Sequence, residues 1–599
     1  MNKKKKTLAF VLAVVLVASL ASVGLSACFD FGEPDIPFDD FTKMLFEIFL
    51  DGDGLAINLY LDDPSVYELD TFDIYLPGIS SFNEHKNDVD GLNEALDEIK
   101  TLLDDYNYEK LNADQKITYK VLAYAINEMR VDNANYYYFK DYLGRSGTAA
   151  DVPSTLQLYR FKDVNDIRRY LEYIEIAPEA FSQYVDFEFN KCEAGYGFSD
   201  SYYEQAIDAY ENIISETTDV SEHSLIEIFD TKIDAIASMS TSSKNNYKER
   251  NLTAVSDLLE AYEDLIKDIE DLLIDYPTSS RNQKGLYYAN SGADYYRTIF
   301  EGKTGSSDSF NSATEKLVSY GKSLMNAISN QPEDYDAIIA ELFASEDNEF
   351  TSENALAVLG KINDSMAQHF PSLSVTPEIN INLLTQSQQK DYISGYYVSS
   401  PIDNVAAKQN IYLNPTAQNV LLYNLMSHEG YPGHLYQSLY LRTQDVSDLR
   451  YILTNLGWTE GWAVYCESIA AEYISTDSSV KQAYKAYLAS EQYTNVIVSL
   501  CDILVNGLGY TKEQLTSYSN EKFGYATFGF SADTLSRIID IVIELPGTYL
   551  PYAYGELMIN EIKKEYMRVS STRTDYQFHE ELLRIGSVDF QTLRELLGL

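Results

Sequence analysis

Leu252, Val255, Leu259, Tyr262, Ile266, Ile269 and Leu273 recur three or four residues apart. That spacing keeps them on one side of a helix for about six turns and on neither face of a strand. So long a one-faced helix can bury its stripe only against other helices, and the acidic residues between the stripe positions form its solvated side. Leu92, Leu96, Ile99 and Leu103 repeat the pattern, and helical spacing dominates residues 41–276. Loops are expected at 144–153, 277–284 and 302–309, where Gly, Pro and Ser collect. One stretch, 391–414, differs. Its runs Tyr392-Ile393-Ser394-Gly395-Tyr396-Tyr397-Val398 and Gln409-Asn410-Ile411-Tyr412-Leu413 are β-branched and aromatic, and predict two or three strands. The expected fold is therefore mostly α, a large helical bundle with a small β-sheet. With 599 residues, 45% of them hydrophobic, the chain can bury a large core as one helical domain or as two lobes.

The chain opens on Met1-Asn2, four lysines and an apolar run from Leu8 to Leu20, followed by Leu25-Ser26-Ala27-Cys28. Basic, apolar and small-residue regions in that order are those of a secretory signal. The last four residues resemble a bacterial lipobox, which implies cleavage before Cys28 and acylation of its thiol. An uncleaved anchor is the alternative, but the run falls short of the ~20 residues a membrane helix needs. Lipid on Cys28 would hold the chain to the cell membrane at its extracytoplasmic face, with the acidic residues 29–40 as a tether. The division read from the sequence is a signal over 1–27, lipidated Cys28 and tether over 28–40, a mostly helical region over 41–385, and a catalytic region over 386–599. A formal charge of −47 repels nucleic acid, which is excluded as a partner. Beyond Cys28 only Cys192, Cys466 and Cys501 remain, an odd and scattered set that makes no disulfide framework.

Chemistry concentrates at Ser427-His428-Glu429-Gly430-Tyr431-Pro432-Gly433-His434, which holds two of the six histidines. Asn414-Pro415 is expected to start the helix that carries it. In the zinc pattern H-E-x-x-H the histidines are four apart and face one way, and the Glu works on a zinc-bound water. Here the spacing is six, which leaves the second imidazole roughly 120° away on an ideal helix. Pro432, four residues after His428, cannot donate to the His428 carbonyl and opens the helix there. Gly433 tolerates the dihedrals that follow. A kink or bulge at Pro432-Gly433 would return His434 to the metal side. The competing expectation is a kinked core helix with two satisfied histidines. A catalytic zinc needs a third protein ligand, and Gly457-Trp458-Thr459-Glu460-Gly461-Trp462-Ala463-Val464-Tyr465-Cys466-Glu467 offers it. Glu460 and Glu467, seven apart, share a helix face in an apolar setting. Glu460 is the expected ligand, and Glu467 the outer acceptor or substrate contact. Two surface glutamates on an amphipathic helix is the plainer alternative.

His-Glu-x-x-Pro-Gly-His paired with Glu-Gly-Trp-Ala-x-Tyr-x-Glu resembles the bacterial family called domain of unknown function 885, whose members include lipoproteins. The segment from Asp502 to Thr511 and the segment Pro546-Gly547-Thr548-Tyr549-Leu550-Pro551-Tyr552-Ala553-Tyr554-Gly555-Glu556 are similar to further family segments. The family looks like a distant relation of the helical zinc peptidases typified by oligoendopeptidases and thermostable carboxypeptidases. The resemblance implies a helical bundle around a deep channel, zincin-like catalytic helices, and one Zn2+ per chain on a gluzincin-like set of His428, His434 and Glu460. It implies Glu429 as general base, and Tyr549, Tyr552 and Tyr554 facing the substrate, with Tyr552 as oxyanion donor. It also places Asp502 near the site. Thr548 and Ala553 stand where the family pattern has Gln and Lys, which puts any carried-over substrate preference in doubt.

The resulting expectation is a zinc-dependent hydrolase that cleaves peptides at the outer cell surface through a metal-activated water. The other class is a non-catalytic surface lipoprotein that binds peptides or another ligand in the channel. Glu429 argues against that class, because binding alone does not need a base. The residues do not distinguish carboxypeptidase, aminopeptidase and endopeptidase action.

Overall fold

The computed structural model describes residues 36–69, 72–79, 81–130, 138, 140–282, 284–390 and 393–599. The signal segment, Cys28 and tether residues 29–35 lie outside the described residues, as do Asp391 and Tyr392 at the head of an expected strand. The protein is mostly α-helical with one three-stranded sheet. Among the described residues no helix is long and apolar enough to cross a membrane. Cys192, Cys466 and Cys501 are free and buried.

Helix α1 (Phe38–Leu50) begins inside the stretch expected to be tether. Asp39 and Asp40 occupy its first turn, where carboxylates meet the positive end of the helix dipole, and Phe38 and Phe41 are buried beneath them. The long stripe lies on α2 (Thr241–Asp275), but its buried face is centred on Val255, Leu258, Tyr262, Leu265, Ile269 and Leu272. Leu252, at the edge of that face, is 39% exposed. The loop expected at 302–309 starts late, because the helix Gly292–Thr304 runs into it and stops at Gly305 with φ +65°.

Apolar packing does not divide at residue 385. Phe41, Leu45 and Ile117 share one core with Leu435, Trp462 and Leu550, so the first helices are part of the body that carries the C-terminal motifs. A second core, from Ile74 to Leu272, is built around α2.

The sheet has the order β1 (Ile379–Leu383), β3 (Gln409–Leu413), β2 (Gly395–Val398). Strand β3 pairs in parallel with β1, Ile411 opposite Ile381, and antiparallel with β2, Ile411 opposite Tyr397. Strand β1 was not expected. Its Asn380 and Asn382 are poor strand formers, and they are held by contacts with each other and with Asn410 across the ladder. Asn414 and Pro415 do not start a helix. The Asn414 N–H donates to the Ser394 carbonyl at 2.9 Å, and its side chain accepts the Thr416 N–H at 3.1 Å, so the pair ends the sheet.

The C-terminal part includes α3 (Leu422–Glu429), α4 (His434–Arg442), α5 (Leu456–Ala470), α6 (Ser478–Asp502), α7 (Lys512–Phe523), α8 (Ala532–Glu544) and α9 (Leu550–Val569). A π-helical turn, Ile503–Gly507, continues α6.

Candidate metal centre

Helix α3 ends with Glu429, and α4 starts with His434, so the break is complete rather than a bulge within one helix. Pro432 lies in the connection and Gly433 immediately precedes α4. A Cβ on Gly433 would stand 1.7 Å from the His428 carbonyl oxygen, so only glycine lets the chain return this closely past its own helix end. The Trp462 indole N–H (2.9 Å) and the Cys466 thiol (3.4 Å) both donate to the Pro432 carbonyl and tie the connection to α5. The two imidazoles end 4.8 Å apart by ring centroid, nearly perpendicular at 86°.

Glu460 on α5 completes the group. Its Oε2 lies 3.4 Å from His428 Nε2 and 3.5 Å from His434 Nε2, and one ligating atom from each of the three residues lies within 4.8 Å of the others. Their side chains keep 13%, 14% and 18% exposure for His428, His434 and Glu460, so solvent reaches them. Glu460 Oε2 is nevertheless buried and has no hydrogen-bond partner. Burial pushes the Glu460 carboxyl up, but the His434 charge and contacts with both imidazoles outweigh it and hold the group well below the usual carboxylate range. Burial disfavours the cationic forms of His428 and His434, and the facing carboxylates reverse the balance and raise both.

A second layer fixes the orientations. Glu467 Oε1 lies 2.7 Å from His428 Nδ1, which turns Nε2 toward Glu460. Glu429 Oε2 accepts the Tyr397 backbone N–H at 2.8 Å, tying the end of α3 to the edge strand β2. Burial raises the Glu429 carboxyl above its ordinary value, and the two histidines partly offset this.

Helix α9 delivers Tyr552, whose ring stacks on that of His428 at 6.5 Å and 22°. The approach is set by glycines. A Cβ on Gly555 would meet the Gly457 carbonyl oxygen at 2.0 Å, and one on Gly461 would meet Gly555 C at 2.4 Å, so α5 and α9 cross backbone on backbone. Burial, with the Glu460 and Glu429 charges, drives the Tyr552 pKa far up and keeps its hydroxyl protonated. Tyr549 is half-buried at the N-cap of α9.

Tyr554 and Asp502 are not at the group. Tyr554 lies two residues beyond Tyr552, roughly 200° around the helix, and its hydroxyl donates to Asp308. Asp502 is buried and accepts from the Gly547 N–H at 2.7 Å and the Asn506 amide at 2.9 Å. Burial lifts its carboxyl to about 7. It pins the turn that leads into α9. The Tyr397 amide and the Trp462 and Cys466 donors carried no signal readable in advance, since each acts through a backbone atom of a distant segment.

A mostly helical protein with a small sheet and a two-histidine, one-glutamate group defines the class. Residues 79–597 match the family described as bacterial protein of unknown function (DUF885), and the chain belongs to that family. Among solved structures it is similar to a protein described as "the putative lipoprotein from Colwellia psychrerythraea", with TM-score 0.72 and 17% identity over 94% of this chain and 98% of that one. It is also similar to "a putative lipoprotein of unknown function from Shewanella oneidensis", with TM-score 0.57 and 13% identity over 94% of this chain and all of that one. These likenesses are of fold. A search of curated proteins finds no match.

Proposed function

We propose that the chain is a zinc-dependent peptidase held by a lipid on Cys28 at the outer side of the cell membrane. One observation carries the metal: a buried carboxylate oxygen with no hydrogen-bond partner, facing two imidazole nitrogens at 3.4 and 3.5 Å. Ligand bonds of about 2.0–2.1 Å at tetrahedral angles put neighbouring ligand atoms about 3.3 Å apart, close to these separations. Two imidazoles and one carboxylate are a catalytic zinc set with a position left for water. The lipid anchor is supported by the Leu25-Ser26-Ala27-Cys28 ending and by the descriptions of the two similar structures.

His428, His434 and Glu460 would hold the ion, and Glu467 would keep His428 in the tautomer that offers Nε2. Bound zinc supplies a Lewis acid and brings the pKa of water toward ~7. Glu429 accepts a proton from the attacking water at its carboxylate and returns it to the leaving amine; a carboxyl raised by burial is suited to both steps. Tyr552 donates a hydrogen bond from its hydroxyl to the developing oxyanion and stays protonated. Strand β2 is an edge strand beside Glu429, where an extended peptide main chain can lie.

The test is hydrolysis of a mixed peptide library by the full chain, followed by mass spectrometry on peptides with free and blocked ends. Cleavage is expected with zinc, to vanish with a chelator, and to return when zinc is restored. Cleavage indifferent to the chelator, or none with zinc loaded, would overturn the reading. Glu467→Gln is expected to weaken zinc binding 10- to 100-fold in competition titrations against a metal indicator.

A further inference from the structure

The Asp502–Thr511 segment supplies no member of the histidine and glutamate group. Asn506 at its centre donates to Asp502 Oδ1 (2.9 Å) and the Val542 carbonyl (2.6 Å), and accepts the Leu286 N–H (2.9 Å). It thereby ties two walls together around a cavity of about 650 Å3, which shares no lining residue with the histidine and glutamate group. One wall comes from Ser199 to Ser201 with Thr278, Asn282, Lys284 and Tyr288; the other from Val505, the turn Tyr510 to Lys512 and the end of α8. The volume is in the range of small-molecule sites, and a π-helical turn forms part of the wall.

The lining carries both signs of charge beside apolar residues, and of its carboxylates Asp200 is already paired with Arg281. Asp540 and Glu544, one turn apart on α8, supply carboxylates. Glu544 is 8% exposed and accepts the Ser199 N–H at 3.1 Å, yet among the described residues no ion pair reaches it. Burial lifts its carboxyl to about 7, which a ligand cation would reverse. Lys284 and Lys512 come from opposite walls, and Lys512 stands in the first turn of α7, where the helix dipole adds to its charge. Lys512 Nζ donates to the neutral Ser536 hydroxyl, and Lys284 Nζ sits 5.9 Å from the Tyr288 ring centroid. Val505, Ile539 and Ile543 are apolar. A monoanion or a monocation would satisfy only half of this lining.

We propose that this cavity binds a short peptide with both ends free and an apolar side chain. Asp540 and Glu544 take its ammonium group, Lys284 and Lys512 its carboxylate, and the apolar residues its side chain. The site is independent of the metal reading.

The test is calorimetry of alanyl-leucine against the full chain in chelator, where nothing zinc-dependent proceeds. Saturable binding is expected, weakened at least tenfold by acetylating the amine, by amidating the carboxylate, by Glu544→Gln and by Lys512→Met, and unchanged by His434→Ala. Absence of binding at millimolar peptide, equal binding of the blocked peptides, indifference to the cavity substitutions, or loss with His434→Ala would each overturn it. Thermal melts verify folding; should Glu544→Gln not fold, the exposed Lys284→Met supplies the same test from the other wall.

Discussion

Glu429→Gln is expected to lower the proposed peptide cleavage on the order of a hundred- to ten-thousand-fold while leaving the proposed zinc ion bound. The substitution isolates proton transfer. Glutamine preserves the volume, and its amide oxygen can still accept the Tyr397 N–H that holds Glu429 at 2.8 Å. The three proposed ligands, His428, His434 and Glu460, keep their mutual distances. What is lost is the ability to take a proton and give it back. Single-turnover rates on a library-derived peptide, paired with metal analysis of the same sample, read the two effects separately. Undiminished cleavage with zinc bound would mean that another group is the base. Loss of zinc along with activity would mean that Glu429 is a ligand, contrary to the bond of its Oε2 to the edge strand.

The candidate site was legible where local sequence alone decides geometry. Pro432 cannot continue a helix and Gly433 has no Cβ to strike the His428 carbonyl, so a disturbance of the helix there could be read, but as a kink or bulge rather than the full stop between Glu429 and His434. Glu460 and Glu467 could be placed on one face by helical period, and both lie against His428. The start of α3 was not legible. Its first N–H is capped by the side chain of Asn348, at 2.8 Å, from a segment 74 residues away, so Asn414-Pro415 looked like the only start signal. Strand β1 was hidden because its asparagines satisfy one another only when β3 lies alongside. Tyr554 is a different kind of miss. Its placement with Tyr552 ignored the roughly 200° between positions two apart on a helix, and family likeness took precedence over periodicity. Asp502 shows the limit of motif reading, since a residue that pins the Gly547 turn and one that touches the site stand alike in a motif, and only packing tells them apart. The stripe on α2 pointed to a helical partner surface, but could not show that the first helices join the C-terminal core while α2 builds the other.

Gly555→Ala is expected to cost about 3 kcal/mol of stability and, in the fraction that remains folded, to impair cleavage without releasing zinc. The added methyl would lie 2.0 Å from the Gly457 carbonyl oxygen and 2.9 Å from Gly461 Cα. Both obstacles are main chain, so no rotamer change relieves them and α9 must move away from α5. Tyr552 is carried on α9 one turn before Gly555, whereas His428, His434 and Glu460 are on α3, α4 and α5. Tyr552 therefore moves with α9, while Glu460, next to Gly461 on α5, is the ligand nearest the contact. Gly360 is the internal control: it is helical, and a Cβ there meets nothing within 4 Å. Gly360→Ala should stabilise the chain by about 0.4–1 kcal/mol through the unfolded state, with cleavage unchanged. Denaturation midpoints for both variants, together with zinc content and cleavage rates, decide the matter. If Gly555→Ala is as stable and as active as the parent, the backbone contact between α5 and α9 does not set the position of Tyr552. If it loses zinc together with activity, the two helices hold the metal group as one unit, and Tyr552 has no separate part in the loss.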